Sequence, residues 1–210
     1  MTDDLAPDIQ SLLDQLAANE RDAAALVDGL SAEHGAQAPA PGSWSVAECL
    51  DHLATADRVY LPPMRAAAAR GRERKRWRRG PAQPGLVGGW FVRSLEPLQK
   101  SGRKMRAPRA IRPRVGPPLD SARDDFHAAH RDPAAFLREN ADLDLAHIHF
   151  ENPFVAVLRW SLATGMNVIA AHERRHLLQA WRARNAAAVA ATFGAAPELS
   201  PPSRDECARG

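Results

Sequence analysis

Apolar residues recur at intervals of three and four along much of this 210-residue chain. That spacing is typical of amphipathic helices, because it returns an apolar side chain to the same helical face at every turn. The first such stripe, within residues 9–30, has an alanine-rich centre and predicts helix one. No segment alternates convincingly between apolar and polar positions, so the pattern predicts no strands.

Helix two has a recognisable start. Ser45 is followed three residues later by Glu48, the sequence of a capping box, in which each side chain bonds the other residue's free backbone N–H. The helix is therefore predicted to begin near Val46 and to continue through Tyr60. We expect the pair Pro62–Pro63 to bend or stop it, because proline lacks the N–H that the helical ladder needs.

Two more helices are predicted in the C-terminal half. Helix three begins around residues 119–121 and should kink or restart at the pair Asp132–Pro133, which has the sequence of a cap followed by a first-turn proline. A polar connection, "HIHFENP", leads to helix four over about residues 154–185. Between helices two and three lies a basic crossover segment, residues 65–118, with one short helical stretch at "LVGGWFVRSLEPL".

These elements predict an all-α protein, a four-helix bundle with a long basic crossover segment between helices two and three. A chain of this length fits one domain, which we expect over residues 1–190. The remainder, residues 191–210, should be a flexible tail, because the sequence from Gly194 onward has neither helical period nor apolar content.

The composition is that of an ordinary globular protein, with 45% hydrophobic and 25% charged residues. No stretch approaches the roughly 20 apolar residues of a membrane span, and the N-terminus lacks the basic-then-apolar order of a secretory signal. We therefore expect a cytoplasmic protein without a membrane span. Its two cysteines, Cys49 and Cys207, are too few for a disulfide framework.

The net charge of +3 conceals an uneven distribution. Residues 65–114 hold 16 of the 28 basic side chains and 2 of the 25 acidic ones, which leaves a net charge of −11 on the rest of the chain. The densest run, residues 70–80, also contains Trp77, and basic residues with a stacking aromatic are typical of phosphate binding. The alternatives are a solvated loop, or a loop that pairs with the acidic body of the same subunit or of a neighbour in a homodimer.

The stretch "AHERRHLLQAW", residues 171–181, contains H-E-x-x-H, the zinc signature of metalloproteases. The rest of the chain lacks the other features of a zinc metalloprotease. Gln179 and Arg182 stand where the longer protease motif needs Gly and His, and no sheet is predicted to hold a peptide. Glu173 lies about 100° around the helix from His172, which disfavours it as a general base. A zinc protease remains a minor alternative.

The two histidines of this stretch lie on the predicted buried stripe of helix four. His172 and His176 are four residues apart, which places both rings one turn apart and suits two ligands of one metal ion. His52 falls on an inward stripe of helix two among small side chains and is the candidate for a third ligand. Glu48, one turn earlier, could orient the His52 ring, although capping competes for it.

Two other histidine pairs are weaker candidates. His127 and His130 are three residues apart on helix three, and His147 with His149 forms an H-x-H in the polar connection. Histidines in polar segments are most often solvated, so we expect neither pair to bind a metal.

Taken with His52, the late histidine pair gives the chain a resemblance to the DinB family, four-helix proteins related to bacterial low-molecular-weight-thiol transferases. The resemblance is carried by "WSVAECLDHLATADRVYLPPM", "LEPLQKSGRKMRAPRAIRP" and "FENPFVAVLRWSLATGMNVIAAHERRHLLQ", and it covers roughly residues 8–185. It implies that His52, His172 and His176 bind one divalent metal ion, zinc or nickel. The run "RGRERKRWRRG" has no counterpart among the family's functions.

The resemblance also implies a reaction class. Related enzymes add mycothiol or bacillithiol to small electrophiles or isomerise maleylpyruvate, so we expect a metal-dependent transferase or hydrolase that uses such a thiol, or water, on a small-molecule substrate. The sequence leaves a different class of function open. In that alternative the metal ion braces the bundle without catalysis, and the basic segment binds nucleic acid or another anionic partner.

Overall fold

The computed structural model describes residues 5–96, 107–155 and 157–193. Within these ranges the chain is mostly helical, which confirms the all-α prediction. The helices are α1 (Pro7–Val27), α2 (Ala32–Ala36), α3 (Val46–Glu73), α4 (Leu86–Leu95), α5 (Leu119–Glu139) and α6 (Leu162–Phe193), with one 3-10 turn at Arg109–Ile111. A two-stranded antiparallel sheet is formed by β1 (His149–Glu151) and β2 (Arg159–Ser161).

Helix α3 begins as predicted but does not stop where predicted. Ser45 Oγ accepts the Glu48 N–H at 3.2 Å and Glu48 Oε2 accepts the Ser45 N–H at 2.9 Å, so the capping box is present. The helix then continues through Pro62 and Pro63 to Glu73, so of the two expected outcomes, a bend or a stop, the stop is wrong. The side chains on either side of the two prolines, those of Leu61 and Met64, are buried in the core. Burying such side chains contributes about 1.5–3 kcal/mol each, which offsets the hydrogen bonds that the prolines remove.

The later elements also differ from the predictions. Helix α5 is continuous through Pro133, so of the kink or restart expected there the restart is wrong. The polar connection is a hairpin in which Phe150 pairs with Trp160, and α6 therefore starts at Leu162 instead of near residue 154. Each strand has three residues, which is too short for an alternating pattern to be visible in the sequence.

The contacts between the long helices show which of them run in the same direction. Helix α3 contacts α5 and α6, and α1 contacts the same two helices. Three arginines of α3, spaced by seven residues, donate hydrogen bonds to α5, and each partner lies 67 residues later in the sequence. The pairs are Arg58 with Asp125, Arg65 with Asp132, and Arg72 with the Glu139 carbonyl. A constant separation means that α3 and α5 run parallel. The chain must therefore return along the molecule between them, which explains the long crossover segment.

Part of the crossover segment is ordered against the helices. The segment leaves α3 after Glu73, later than the predicted residue 65, and contains α4, the short helix that the sequence predicted. Arg78 bonds Asp8 at the start of α1 at 2.5 Å, and Trp77 pairs with Leu143 in an isolated bridge. The predicted tail lies almost entirely outside the described residues, as do residues 97–106 of the crossover.

None of the helices within the described ranges combines the length and the apolar character that crossing a membrane would require.

Candidate metal centre

His52 is fully buried on α3, two turns after the capping box. Its Nδ1 atom donates to the carbonyl oxygen of Ile111, in the 3-10 turn of the crossover segment, at 2.5 Å. A proton on Nδ1 leaves the Nε2 lone pair available. The backbone of the crossover therefore fixes both the tautomer and the orientation of this ring.

His172 and His176 approach His52 from α6. The Nε2 atoms of His52 and His172 are 3.2 Å apart, and the centroid of the His176 ring lies 4.5 Å from that of His52. One donor atom from each of the three rings lies within 4.8 Å of the other two. His176 is oriented in the same way as His52, because its Nδ1 donates to Gln179 Oε1 at 3.0 Å.

The environment keeps the three imidazoles neutral. Burial lowers the pKa of His52, and burial together with the neighbouring histidines lowers the pKa of His172 well below its usual value. Burial and His52 lower the pKa of His176 to about 3. Neutral imidazoles are the form that ligates metals, and two lone pairs 3.2 Å apart repel unless a proton or a cation lies between them. This donor set fits a divalent metal ion.

Aromatic and acidic neighbours hold the site in place. The Trp44 ring lies 4.7 Å from His52 and 5.5 Å from His176, centroid to centroid, and forms one wall. Next to His52 on α3, the buried Asp51 accepts hydrogen bonds from the Arg114 backbone N–H at 2.7 Å and from its Nε at 2.6 Å. These bonds fasten the segment that carries the Ile111 carbonyl to the helix that carries His52.

Comparison with known proteins identifies the family. The family model of the DinB superfamily matches residues 15–180. The chain belongs to the DinB superfamily. Neither a curated protein nor a solved structure gave a significant match. The DinB-superfamily match spans all three histidines, the whole of α3 and α6 as far as residue 180.

The geometry separates this DinB-superfamily chain from a metalloprotease. Glu173, the glutamate of the H-E-x-x-H box, is fully buried and groups with Asp57 and His130 instead of with the three histidines. It accepts hydrogen bonds from Asn19 at 2.7 Å and from His130 at 2.8 Å. Because these bonds hold its carboxylate in the core, Glu173 is not placed to serve as a base for water at the histidine site.

Other residues singled out in the sequence have different partners. Glu48 bonds the backbone at Ser45, so the role of orienting His52 falls to the Ile111 carbonyl instead. No sequence signal could have revealed that contact, because every residue has a carbonyl. His127 and His130 do not act as a pair, since His130 faces Asp57 and Glu173 from α5.

His147 and His149 are exposed at the surface. His147 Nδ1 bonds Asp144 at 2.8 Å, and His149 Nδ1 bonds the His147 carbonyl at 3.0 Å. Neither histidine belongs to a three-residue group of metal-binding type within the described part of the chain.

Proposed function

We propose that this DinB-superfamily chain is a metal-dependent enzyme that brings a low-molecular-weight thiol, or water, to a small electrophilic substrate. The proposal includes the finer architecture, a DinB-type four-helix bundle of α1, α3, α5 and α6, with His52, His172 and His176 as the metal ligands. The observation that carries it is the convergence of three neutral imidazoles. Two of them are already oriented through Nδ1, by Ile111 and by Gln179.

A bound divalent ion would supply Lewis acidity at this site. Three protein ligands leave coordination positions open, and an ion held in this way lowers the pKa of a water or thiol that occupies one of them. The protein's own residues supply the fixed imidazoles and the Trp44 wall, which limits access of bulk water from one side. His172 and His176 are partly exposed, so small molecules can reach the centre from that side.

The one cysteine in the part of the chain that the structure describes is unsuited to act as the nucleophile. Cys49 lies one turn before His52 on α3 and is buried, and burial raises the pKa of its thiol. A buried, protonated thiol is a poor nucleophile. An external thiol fits better: it would lose its proton to solvent, its sulfur would bond the electrophilic carbon, and the leaving group would depart with the electron pair of the broken bond. In hydrolysis, water takes the place of the thiol.

The test combines metal content with turnover. Purified protein and a His172→Ala variant are analysed for bound metal and then assayed with bacillithiol or mycothiol and 1-chloro-2,4-dinitrobenzene, and with 4-nitrophenyl acetate for hydrolysis. His127→Ala removes a histidine that lies outside the site and serves as the matched control. We expect the wild type and the control to bind metal and to turn over, and His172→Ala to lose at least about 100-fold in rate, since activation of the nucleophile depends on the ion. Metal binding that stabilises the fold without any turnover would refute the enzyme and favour the bracing role.

A second candidate function is favoured by a cleft between α3 and the hairpin. The cleft has a volume of about 460 Å³ and continues into a smaller one of about 190 Å³. Four arginines without side-chain partners among the described residues line the two: Arg70, Arg74, Arg76 and Arg159. By contrast, Arg78 in the same basic run is paired with Asp8. Unpaired guanidinium groups around a cleft are suited to a phosphate-bearing ligand, and nucleic acid is the candidate of that class that we propose to test.

The binding assay uses fluorescein-labelled single-stranded DNA and fluorescence anisotropy at low and at physiological salt. We expect salt-sensitive binding that weakens at least about tenfold when Arg70, Arg74 and Arg159 are replaced by alanine. The control variant replaces Arg58, Arg65 and Arg123, which are paired with acids, and so removes the same charge elsewhere. Equal weakening in the two variants, or no binding at low salt, would exclude a specific role for the cleft.

A further inference from the structure

Four buried polar side chains lie at the centre of the helical core, one from each long helix. They are Asn19 of α1, Asp57 of α3, His130 of α5 and Glu173 of α6, and their exposed fractions are 3%, 2%, 2% and 0%. We refer to these four residues as the polar layer. Polar groups are rarely buried this completely unless they bond one another or an ion, because desolvation is costly.

The polar layer separates two hydrophobic clusters. On one side lie residues from the first halves of α1 and α6 and from the second halves of α3 and α5, including Leu16, Met64, Phe136 and Ile169. On the other side lie residues from the opposite halves, including Leu26, Leu53, Phe126 and Leu177. The layer therefore interrupts an otherwise continuous core at the same height on all four helices.

Glu173 is the hub of the contacts within the layer. Asn19 Nδ2 donates to Glu173 Oε2 at 2.7 Å and also to the Ala170 carbonyl at 3.0 Å. His130 Nδ1 donates to Glu173 Oε1 at 2.8 Å. These bonds satisfy Glu173 from two helices, but they do not explain the second acid of the layer.

Asp57 is the unexplained member. Its Oδ2 atom is buried and has no hydrogen-bond donor among the described residues. The neighbouring Glu173 carboxylate can bond it if one of the two acids carries a proton, and burial and then the charge of Glu173 raise the pKa of Asp57 well above its usual range. Two carboxylates in such contact require either a proton or a cation between them.

We infer that Asp57, His130 and Glu173 form a second divalent-cation site, inside the helical core and separate from the three-histidine centre. One donor atom from each residue lies within 4.8 Å of the other two, and ligands of one such ion are at most about 4.2 Å apart, so small side-chain movements bring all three into its first shell. The ion would displace the proton that His130 Nδ1 donates to Glu173 in the metal-free protein, and two carboxylates with one neutral imidazole then balance the charge of a divalent ion. Carboxylates and imidazoles that project inward from facing helices are a known way to build a metal site in a bundle core.

The donor set selects the class of ion. An imidazole nitrogen beside two carboxylate oxygens suits first-row transition metals such as Mn²⁺, Fe²⁺, Co²⁺ or Zn²⁺. Mg²⁺ is disfavoured because it keeps several waters, and Ca²⁺ because it takes six to eight oxygen ligands. The three side chains are exposed by 2% or less, which leaves little space for the waters of Mg²⁺ or for the additional oxygen ligands of Ca²⁺.

The experiment counts ions per chain. Metal-free protein is dialysed against excess Co²⁺ until uptake reaches a plateau, because a buried site fills slowly, and bound cobalt is measured by elemental analysis after removal of free ion. We expect about two ions per wild-type chain and about one in Asp57→Asn. His172→Ala should also retain about one ion, the one in the core site, so the two sites are distinguishable. The Co²⁺ absorption spectrum of that variant should differ from the spectrum of Asp57→Asn, since one site offers three nitrogens and the other one nitrogen with two oxygens.

Asp144→Asn provides the matched control. Asp144 is also buried and bonds a histidine, His147, at 2.8 Å, but it belongs to no three-residue group in the described ranges, so this variant should still bind two ions. Thermal unfolding of the metal-free variants checks that the near-isosteric changes preserve the fold, and His130→Gln gives a second route to loss of one ion. A wild type that binds one ion, with the same value in Asp57→Asn and none in His172→Ala, would overturn the inference and leave a purely hydrogen-bonded layer.

Discussion

At the scale of single residues, the candidate centre depends on which nitrogen of each ring is free. His52 and His176 both use Nδ1 to donate to an oxygen, one to a backbone carbonyl and one to the amide of Gln179. Such contacts determine the direction of the Nε2 lone pair before any ion arrives. Partners of this kind influence metal affinity although they do not touch the metal.

The contact between Gln179 and His176 gives the first prediction. Replacing Gln179 with alanine should weaken divalent-metal binding at the three-histidine centre by about 10-fold or more, because the His176 ring loses the bond that orients it. Competition with a chromophoric chelator measures this affinity. Gln15→Ala is the control. Gln15 of α1 accepts a hydrogen bond from Arg174, which lies on the same helix as His176, but Gln15 bonds no histidine among the described residues. Equal affinities of the Gln179→Ala and wild-type proteins would show that Gln179 does not orient the ligand.

The lowered histidine pKa values give a pH-dependent prediction. In the unfolded chain these rings gain protons below about pH 6.5, whereas in the folded protein burial suppresses that gain, down to about 3 for His176. The free energy of unfolding of metal-free protein should therefore be fully present above about pH 6.5 and should fall as the pH is lowered towards 3. The loss is up to about 1.4 kcal/mol per pH unit for each such ring.

Urea denaturation at pH 7.5 and 5.5 measures this loss. A His176→Gln variant has one fewer suppressed histidine and should lose less stability between the two values. The comparison cancels the opposite contribution of His130, whose pKa is raised by its bond to Glu173 against the effect of burial. An identical loss of unfolding free energy in the wild type and in His176→Gln would contradict the lowered pKa of His176 in the folded protein.

At the scale of elements, the prolines show what local signals miss. The capping box at Ser45 correctly gave the start of α3, since both of its bonds are local in sequence. A stop at Pro62 and Pro63, one of the two outcomes expected there, was wrong, because burial of the neighbouring residues against α5 and α6 outweighs the local cost of the prolines. The seven-residue spacing of Arg58, Arg65 and Arg72 is visible in the sequence. The partners of these arginines on α5 are not, because they depend on the parallel packing of the two helices.

Close packing between α4 and α6 supports a prediction about two adjacent glycines. A Cβ added at Gly88 would lie 2.5 Å from Thr164 Oγ1, which is itself bonded to Ser161, whereas one added at Gly89 meets its nearest side-chain atom at 3.6 Å. Gly88→Ala should therefore destabilise the protein by about 1–3 kcal/mol through overpacking. Gly89→Ala should be neutral or stabilising by up to about 1 kcal/mol, as alanine favours helices. Chemical denaturation compares them, and equal effects would contradict the close α4–α6 contact.

At the scale of the whole molecule, the metal ion should couple the helices to the crossover segment. His52 lies on α3, its Nδ1 partner lies in the crossover, and the other two proposed ligands, His172 and His176, lie on α6. An ion bound by all three histidines would favour the folded state, because the unfolded chain does not keep them together.

This coupling predicts stabilisation by added metal. At a zinc concentration about 100 times the Kd of the three-histidine centre, that centre should add about 2.7 kcal/mol to the stability of the metal-free wild type, which corresponds to a rise in Tm of roughly 5–10 °C for a chain of this size. His172→Ala should lose this rise and keep only what an ion in the core site contributes, and His127→Ala should resemble the wild type. Scanning calorimetry with and without zinc measures the shift. The same rise in His172→Ala and wild type would place the stabilising ion somewhere other than the three-histidine centre.

The sequence alone determined the helical class, the start of α3 and the candidacy of His52, His172 and His176, because period, caps and i, i+4 spacing are local properties of a helix. The tertiary structure decided everything that depends on neighbours distant in the chain. It paired His52 with a backbone carbonyl, turned Glu173 into the core, and assembled Asn19, Asp57, His130 and Glu173 from four helices into one layer. Contacts of that kind arise from the packing directions of whole helices, which the local pattern of apolar residues does not specify.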